Sequence, residues 1–339
     1  MIPYISGMWT LPWIVVGFFV TLALSSIFGE EKINRIMKKA GLVILFIFIP
    51  ILVFKLFLNT NFGEEEMDFV VLSLAVMAFL YLIAYLYARK RIKVCRDDGE
   101  RTTFMKTIIV NQGRSAAFVG GAMLAIEKWA VYAAIYITLL GIFLFALIPY
   151  ILSIIHQKEV KSGKKEHSPL PLYLRIYPWY LILFPISAVI IHMQTGITTT
   201  SFEWGKLLNL LAAVTIPAAL YYVGAGIKVR DLKKEAVKEL FYGKEHREAR
   251  WVREILLLTI IVTPLVIALL FGSLLFLHII PSEWFAVLIL NAVLPITSTN
   301  MFLIPYGIDG KVTALAVTWS TIISIPLFVV LLNLLSYLL

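Results

Sequence analysis

Two short polar stretches interrupt long apolar runs and carry the side chains best able to bind a ligand. The first reads Asn111-Gln112-Gly113-Arg114-Ser115, and the second Leu294-Pro295-Ile296-Thr297-Ser298-Thr299-Asn300. Gly113 and Pro295 belong to the two residue types that weaken a helix interior. Each lies 14 residues before an acid, Glu127 and Asp309 respectively. Backbone groups freed at such breaks can hold a substrate at mid-membrane, together with amide and hydroxyl side chains. Arg114 is the sharpest of these residues. A cation at the centre of a membrane helix costs about 2.5–3.5 kcal/mol on insertion scales, so it faces a cavity or a partner. Two roles are open to it. One is a planar fork for an anionic substrate, above all a carboxylate. The other is a structural pair with helix C-terminal carbonyls, with Glu127 or with Asp68. The candidate substrate-binding set is Asn111, Gln112, Gly113, Arg114, Pro295, Ser298, Thr299 and Asn300. Asn111 and Asn300 flank the breaks and fit a site, whereas Thr297 and Ser298 fit hydrogen bonding between helices.

The elements that must position these residues follow from composition. The chain has 339 residues, 60% of them hydrophobic, against about 45–50% in a soluble domain. A helix needs roughly 20 apolar residues to cross a bilayer. Such runs lie near 8–28, 41–58, 67–88, 104–125, 130–155, 176–195, 203–227, 254–278, 284–305 and 312–338. They are too long and too even for barrel strands. The pattern predicts an all-α polytopic membrane protein of about ten transmembrane helices. The first run has no Lys or Arg before it, so it reads as a retained span rather than a signal peptide.

The net charge of +9 comes from loops. Most of the 30 Lys and Arg fall in 29–40, 89–106, 156–175, 228–253 and 306–311, while the loop after the second span carries Glu64, Glu65 and Glu66. The positive-inside rule puts the basic loops in the cytoplasm, and ten spans then place both termini outside the cell membrane. The basic loops are thus topology signals and contacts for anionic lipid, not a nucleic-acid surface. In 228–253 the residues Val229, Leu232, Ala236, Val237, Leu240 and Phe241 suit one face of an interfacial helix, with a solvated loop as the alternative. The single cysteine, Cys95, and scattered histidines give no metal cluster and imply no cofactor. There is no HExxH, no GxGD and no Ser–His–Asp set, so the reading is not an enzyme.

The chain divides into two halves of five spans. The first five-helix repeat covers 1–155, the cytoplasmic linker 156–175 carries Gly163, Pro169 and Pro171, and the second repeat covers 176–339. Pro12-Trp13 recurs as Pro178-Trp179, Ile49-Pro50 as Ile216-Pro217, and Ile126-Glu127 as Ile308-Asp309. An odd number of spans per copy inverts the second copy, the arrangement found in secondary transporters. The last offset, 182 residues, also places Gly113 on Pro295.

At these residues the chain resembles the auxin efflux carrier family. The resemblance rests on Ile216-Pro217-Ala218-Ala219-Leu220, Gly224-Ala225-Gly226, Leu294-Pro295 with Asn300, Tyr306-Gly307-Ile308-Asp309, the span from Ala314 to Ser324, and Asn111-Gln112-Gly113. It implies a five-plus-five inverted repeat in which broken spans four and nine cross, with substrate beside the crossing. It further implies a dimerising scaffold from spans one, two, six and seven (about 8–60 and 176–227). Spans three to five and eight to ten (about 67–155 and 254–338) would form a transport domain that moves as an elevator. The chain differs from the family at Ala116-Ala117-Phe118, where a proline is common, and at Arg114, where an apolar residue is usual. The expected function is secondary transport of a small organic anion by a homodimer. The rivals are a sodium-coupled symporter resembling the bile-acid carriers, and a membrane sensor that does not transport.

Overall fold

Long apolar runs can satisfy their backbone in lipid only as helices or closed barrels, and this chain takes the helical solution. The computed structural model describes residues 12–60, 63–92, 95, 98–115, 123, 126–161, 172–227, 240, 247–297, 300, 303–304 and 306–338. The helical elements are α1 (Pro12–Phe28), α2 (Glu30–Leu58), α3 (Glu64–Arg91), α4 (Asp98–Val110), α5 (127–161), α6 (Leu172–Thr195), α7 (Trp204–Ala225), α8 (Arg247–Phe276), α9 (Ser282–Ala292) and α10 (Gly310–Leu338). Among the described residues no β-strand occurs. Five helices are long and apolar enough to cross a membrane: Glu30–Leu58, Glu64–Arg91, Trp204–Tyr222, Arg247–Phe276 and Gly310–Leu338. Pro12–Phe28, Lys128–Ile142, Leu183–Thr195 and Ser282–Ala292 are shorter apolar helices.

Two boundaries differ from the sequence expectation. α2 begins at Glu30, well before the apolar run at 41–58, because Glu30 and Glu31 in its first turn complement the helix dipole. α4 begins at Asp98, so Lys106, counted above with the basic loop, lies inside a helix and is 2% exposed.

Three helices widen into a π turn directly before a proline. The π segments are Ile44–Phe48 in α2, Phe143–Leu147 in α5 and Leu257–Val262 in α8, ahead of Pro50, Pro149 and Pro264. A proline ring clashes with the carbonyl four residues back, and a wider turn relieves that clash. In each case the residue before the proline donates five residues back: Ile49 to Ile44, Ile148 to Phe143, and Thr263 to Leu258.

Helix contacts fall into two groups. α1, α2, α6 and α7 pack on one another, as do α3, α4, α5, α8, α9 and α10, while α5 also touches α2 and α6. α1 and α7 cross with their backbones in contact. A Cβ on Gly17 would sit 2.1 Å from the Tyr221 carbonyl oxygen, and one on Gly224 would sit 1.9 Å from that of Ile14. Only small residues permit such an approach.

Charged ends gather on one side of the second group. Arg91 at the end of α3 pairs with Glu254 at 3.3 Å, and the Tyr87 hydroxyl donates to the same carboxylate at 2.5 Å. Arg247 pairs with Asp309 at 2.8 Å and Lys311 with Glu248 at 3.4 Å, which ties the start of α8 to the start of α10. Asp309 also caps α10, accepting from the N–H groups of Lys311 and Val312 at 3.1 Å each. The starts of α3, α5 and α9 meet in an aromatic cluster of Phe69, Tyr132 and Trp284. There the Tyr132 hydroxyl donates to Glu65.

Candidate functional site

The two polar breaks meet. α4 ends at Val110, and its last turn tightens: Gln112 N–H donates to Ile109 O and Gly113 N–H to Val110 O, both at 3.1 Å. α9 ends at Ala292, where Pro295 lacks the N–H that a further turn would need and biases Leu294 away from helix. The chain is extended after each stop. Ser115 N–H donates to Pro295 O at 2.9 Å, and Thr297 N–H to Gly113 O at 3.1 Å. These two bonds make an antiparallel bridge between Arg114 and Ile296. Each break therefore satisfies backbone groups that the other exposes, which a water-free setting demands. The Ile296 N–H donates to Ser320 Oγ on α10 at 3.0 Å.

The side chains of the first break reach three helices. Asn111 Nδ2 donates to Thr107 O at 2.8 Å and to Thr313 Oγ1 on α10 at 3.1 Å. Gln112 Nε2 donates to Thr263 Oγ1 on α8 at 2.9 Å. An Arg114 terminal nitrogen, Nη2, donates to Thr259 O on α8 at 2.7 Å. From the second break, Asn300 Nδ2 donates to Val110 O at 2.9 Å. Asn111, Gln112, Arg114 and Asn300 are all buried.

Several polar atoms here are buried with no hydrogen-bond partner among the described residues. The donors are Arg114 Nε and Nη1 and the Tyr81 hydroxyl; the acceptors are Asn111 Oδ1, Gln112 Oε1 and Asn291 Oδ1. Tyr81 and Tyr136 are within electrostatic reach of the guanidinium. No ion pair joins Arg114 to Asp68, and the Glu127 side chain lies outside the described residues. The structural alternative for Arg114 is thus met in part, by a backbone carbonyl. α4 and α9 both direct carbonyl ends at the crossing, and a cation there gains about 0.3–1 kcal/mol from each dipole. The two buried, unmatched nitrogens remain costly at about 1–3 kcal/mol each.

Of the remaining predicted residues, Gly113 provides close approach: a Cβ there would lie 2.2 Å from Leu144 Cδ2. Pro295 contributes its carbonyl to the bridge rather than a side chain. Ser298 and Thr299 lie outside the described residues, as do Gly120 and Gly121. Thr259, Thr263 and Thr313 also hold the crossing, and so does the buried Lys106, whose Nζ donates to Tyr306 O at 3.2 Å. Lys106 had a signal, since it falls within the apolar run at 104–125. The threonines had none, because single threonines in apolar helices are commonplace.

Compared with known proteins, the chain matches no family model and no curated sequence.

Proposed function

We propose that the protein is a secondary transporter that carries a small organic anion, a carboxylate, across the cell membrane. One observation carries this reading. Arg114 is a cation buried at the crossing, with Nε and Nη1 unmatched and no acid partner among the described residues. Nη2 spends one N–H on Thr259. Its other N–H lies parallel either to the Nε–H or to an N–H of Nη1, so one two-pronged edge stays open. A carboxylate fits that edge and brings the compensating charge. Asn111 and Gln112, in the same break, offer free amide oxygens for a hydroxyl or N–H on the substrate.

The wider reading is a ten-span, five-plus-five inverted repeat of the auxin efflux carrier type, working as an elevator, with both termini outside. The packing of α1, α2, α6 and α7 mainly on one another, with α5 as their contact to the rest, supports a scaffold distinct from the six helices around the crossing. The exposed apolar residues Val16, Phe19 and Val20 of α1 suit a lipid or homodimer face. A thermal-shift screen of purified protein against carboxylates, indole acids and amino acids tests the reading, since a ligand of the native state raises stability. Stabilisation by a carboxylate in the wild type, lost in Arg114→Ala, is the expected result. Equal stabilisation of both proteins would sink it.

A further inference from the structure

We infer that Pro264, on α8, is a positioning residue for Arg114: by lacking an N–H it strands the Thr259 carbonyl, which then fixes the guanidinium at the crossing. The inference deepens the transport reading and rests on it only for the functional meaning of Arg114.

The ladder of α8 gives the reason. In an α-helix Thr259 O would accept from Thr263 N–H. Here Thr263 N–H instead reaches Leu258 O, in the five-residue register of the π segment. In that register the partner of Thr259 O is residue 264, and Pro264 has no N–H to give. The carbonyl therefore has no ladder partner and, buried among apolar side chains, must find another donor. The Arg114 guanidinium supplies it at 2.7 Å. One turn further on, the Thr263 hydroxyl takes the Gln112 amide at 2.9 Å, so the same stretch of α8 holds the polar side chains on either side of Gly113. Pro264 touches no substrate in this account. It acts through the carbonyl it leaves free.

The fold contains its own control. Pro50 follows the π segment of α2 by the same rule, with Ile49 N–H on Ile44 O, in the helix group away from the crossing. No guanidinium contact is found at that segment among the described residues. A proline-to-alanine change there should disturb the helix comparably without involving Arg114.

The test uses the full chain and needs no ligand, so its failure and a failure of anion binding are separate results. Melting temperatures are measured for Arg114→Met, Pro264→Ala and the double variant, with Pro50→Ala, alone and with Arg114→Met, as the control cycle. The expected result is that Arg114→Met raises the melting temperature of Pro264→Ala, where the guanidinium has lost its acceptor and the carbonyl has gained a ladder donor, and shifts that of Pro50→Ala no more than it shifts the wild type. An equal effect of Arg114→Met in the wild type, in Pro264→Ala and in Pro50→Ala would overturn the inference. Should Pro264→Ala not be recovered folded, infrared difference spectra of protein carrying threonine labelled with carbon-13 at the carbonyl decide the matter. A threonine carbonyl band that moves to higher wavenumber in Arg114→Met supports the bond, and an unmoved band overturns it.

Discussion

The side-chain amide of Asn300 donates to the carbonyl of Val110 at 2.9 Å, joining residues 190 positions apart. Val110 ends α4, and the last carbonyls of a helix need partners from outside it. Asn300 thus works as a C-terminal cap supplied by the other break. Gly113 N–H also reaches Val110 O, at 3.1 Å, so the carbonyl keeps one partner if the amide is removed. Asn300→Ala should therefore cost about 1–2 kcal/mol, the lower part of the range for a lost buried bond. Asn300→Asp should cost more, because it turns a donor into an acceptor facing a carbonyl. Chemical denaturation in detergent measures both, and an Asp variant as stable as the wild type would remove Asn300 from the crossing.

Gly113 is held by space rather than by a positive φ. Its missing Cβ would lie 2.2 Å from Leu144 Cδ2, the end of a movable side chain on α5. Gly113→Ala should cost about 1–3 kcal/mol through overpacking. Leu144→Ala alone should cost about 2–5 kcal/mol as a cavity mutation. The double variant should lose less than the two together, since the new methyl enters the space that the leucine leaves. Strict additivity in a double-mutant cycle would show that the two positions do not meet.

How far the sequence reveals the site depends on the kind of interaction. The breaks are legible because glycine and proline act locally: Asn111-Gln112-Gly113 and Leu294-Pro295 stop their helices near the expected positions. The antiparallel bridge between Arg114 and Ile296 is not legible, because it pairs backbone groups, which every residue carries. Thr259 and Thr263 were invisible for a related reason, one offering its carbonyl and the other a hydroxyl in an apolar run. Lys106 sits where the basic loop 89–106 and the apolar run 104–125 overlap in sequence, so the sequence alone does not decide between loop and helix. In the structure Lys106 belongs to α4 and is buried, and its amine finds Tyr306 O. The expected interfacial helix in 228–253 falls mainly outside the described residues. Of that stretch, Leu240 is buried and its carbonyl accepts from Arg253 at 3.1 Å.

Topology gives a test that does not depend on the site. The ion pairs Arg91–Glu254, Arg247–Asp309 and Lys311–Glu248 bring together the ends of α3, α8 and α10 that carry basic loops. In the proposed topology this is the cytoplasmic side. A cysteine replacing the exposed Lys311 should react with an impermeant thiol reagent only in inside-out vesicles, and one replacing the exposed Glu64 only in intact cells. A reporter fused after Leu339 should be active outside. Cytoplasmic activity of that reporter would rule out a ten-span arrangement with external termini.

Arg114 decides the proposed function. The residue is 3% exposed, and its guanidinium is anchored at one end to Thr259 O and unmatched at Nε and Nη1. Arg114→Lys keeps a charge but loses the planar fork and cannot hold both Thr259 and a carboxylate in the same geometry. It should fold and weaken carboxylate binding by about tenfold or more, the equivalent of one charge-assisted bond. Arg114→Ala removes the charge and should abolish the binding. Its effect on stability separates the two roles of the residue. A purely structural cation, removed, leaves the Thr259 carbonyl buried without a donor and costs about 1–3 kcal/mol. A residue kept for a ligand offsets that loss in the unliganded state, because removing it also removes two unmatched buried nitrogens. Stability near that of the wild type together with lost carboxylate binding is the expected pair of results, read from unliganded denaturation and from the ligand-induced thermal shift. A folded Arg114→Ala protein that binds the carboxylate with unchanged affinity would make the residue a clamp between the crossing and α8, and the anion site would have to lie elsewhere.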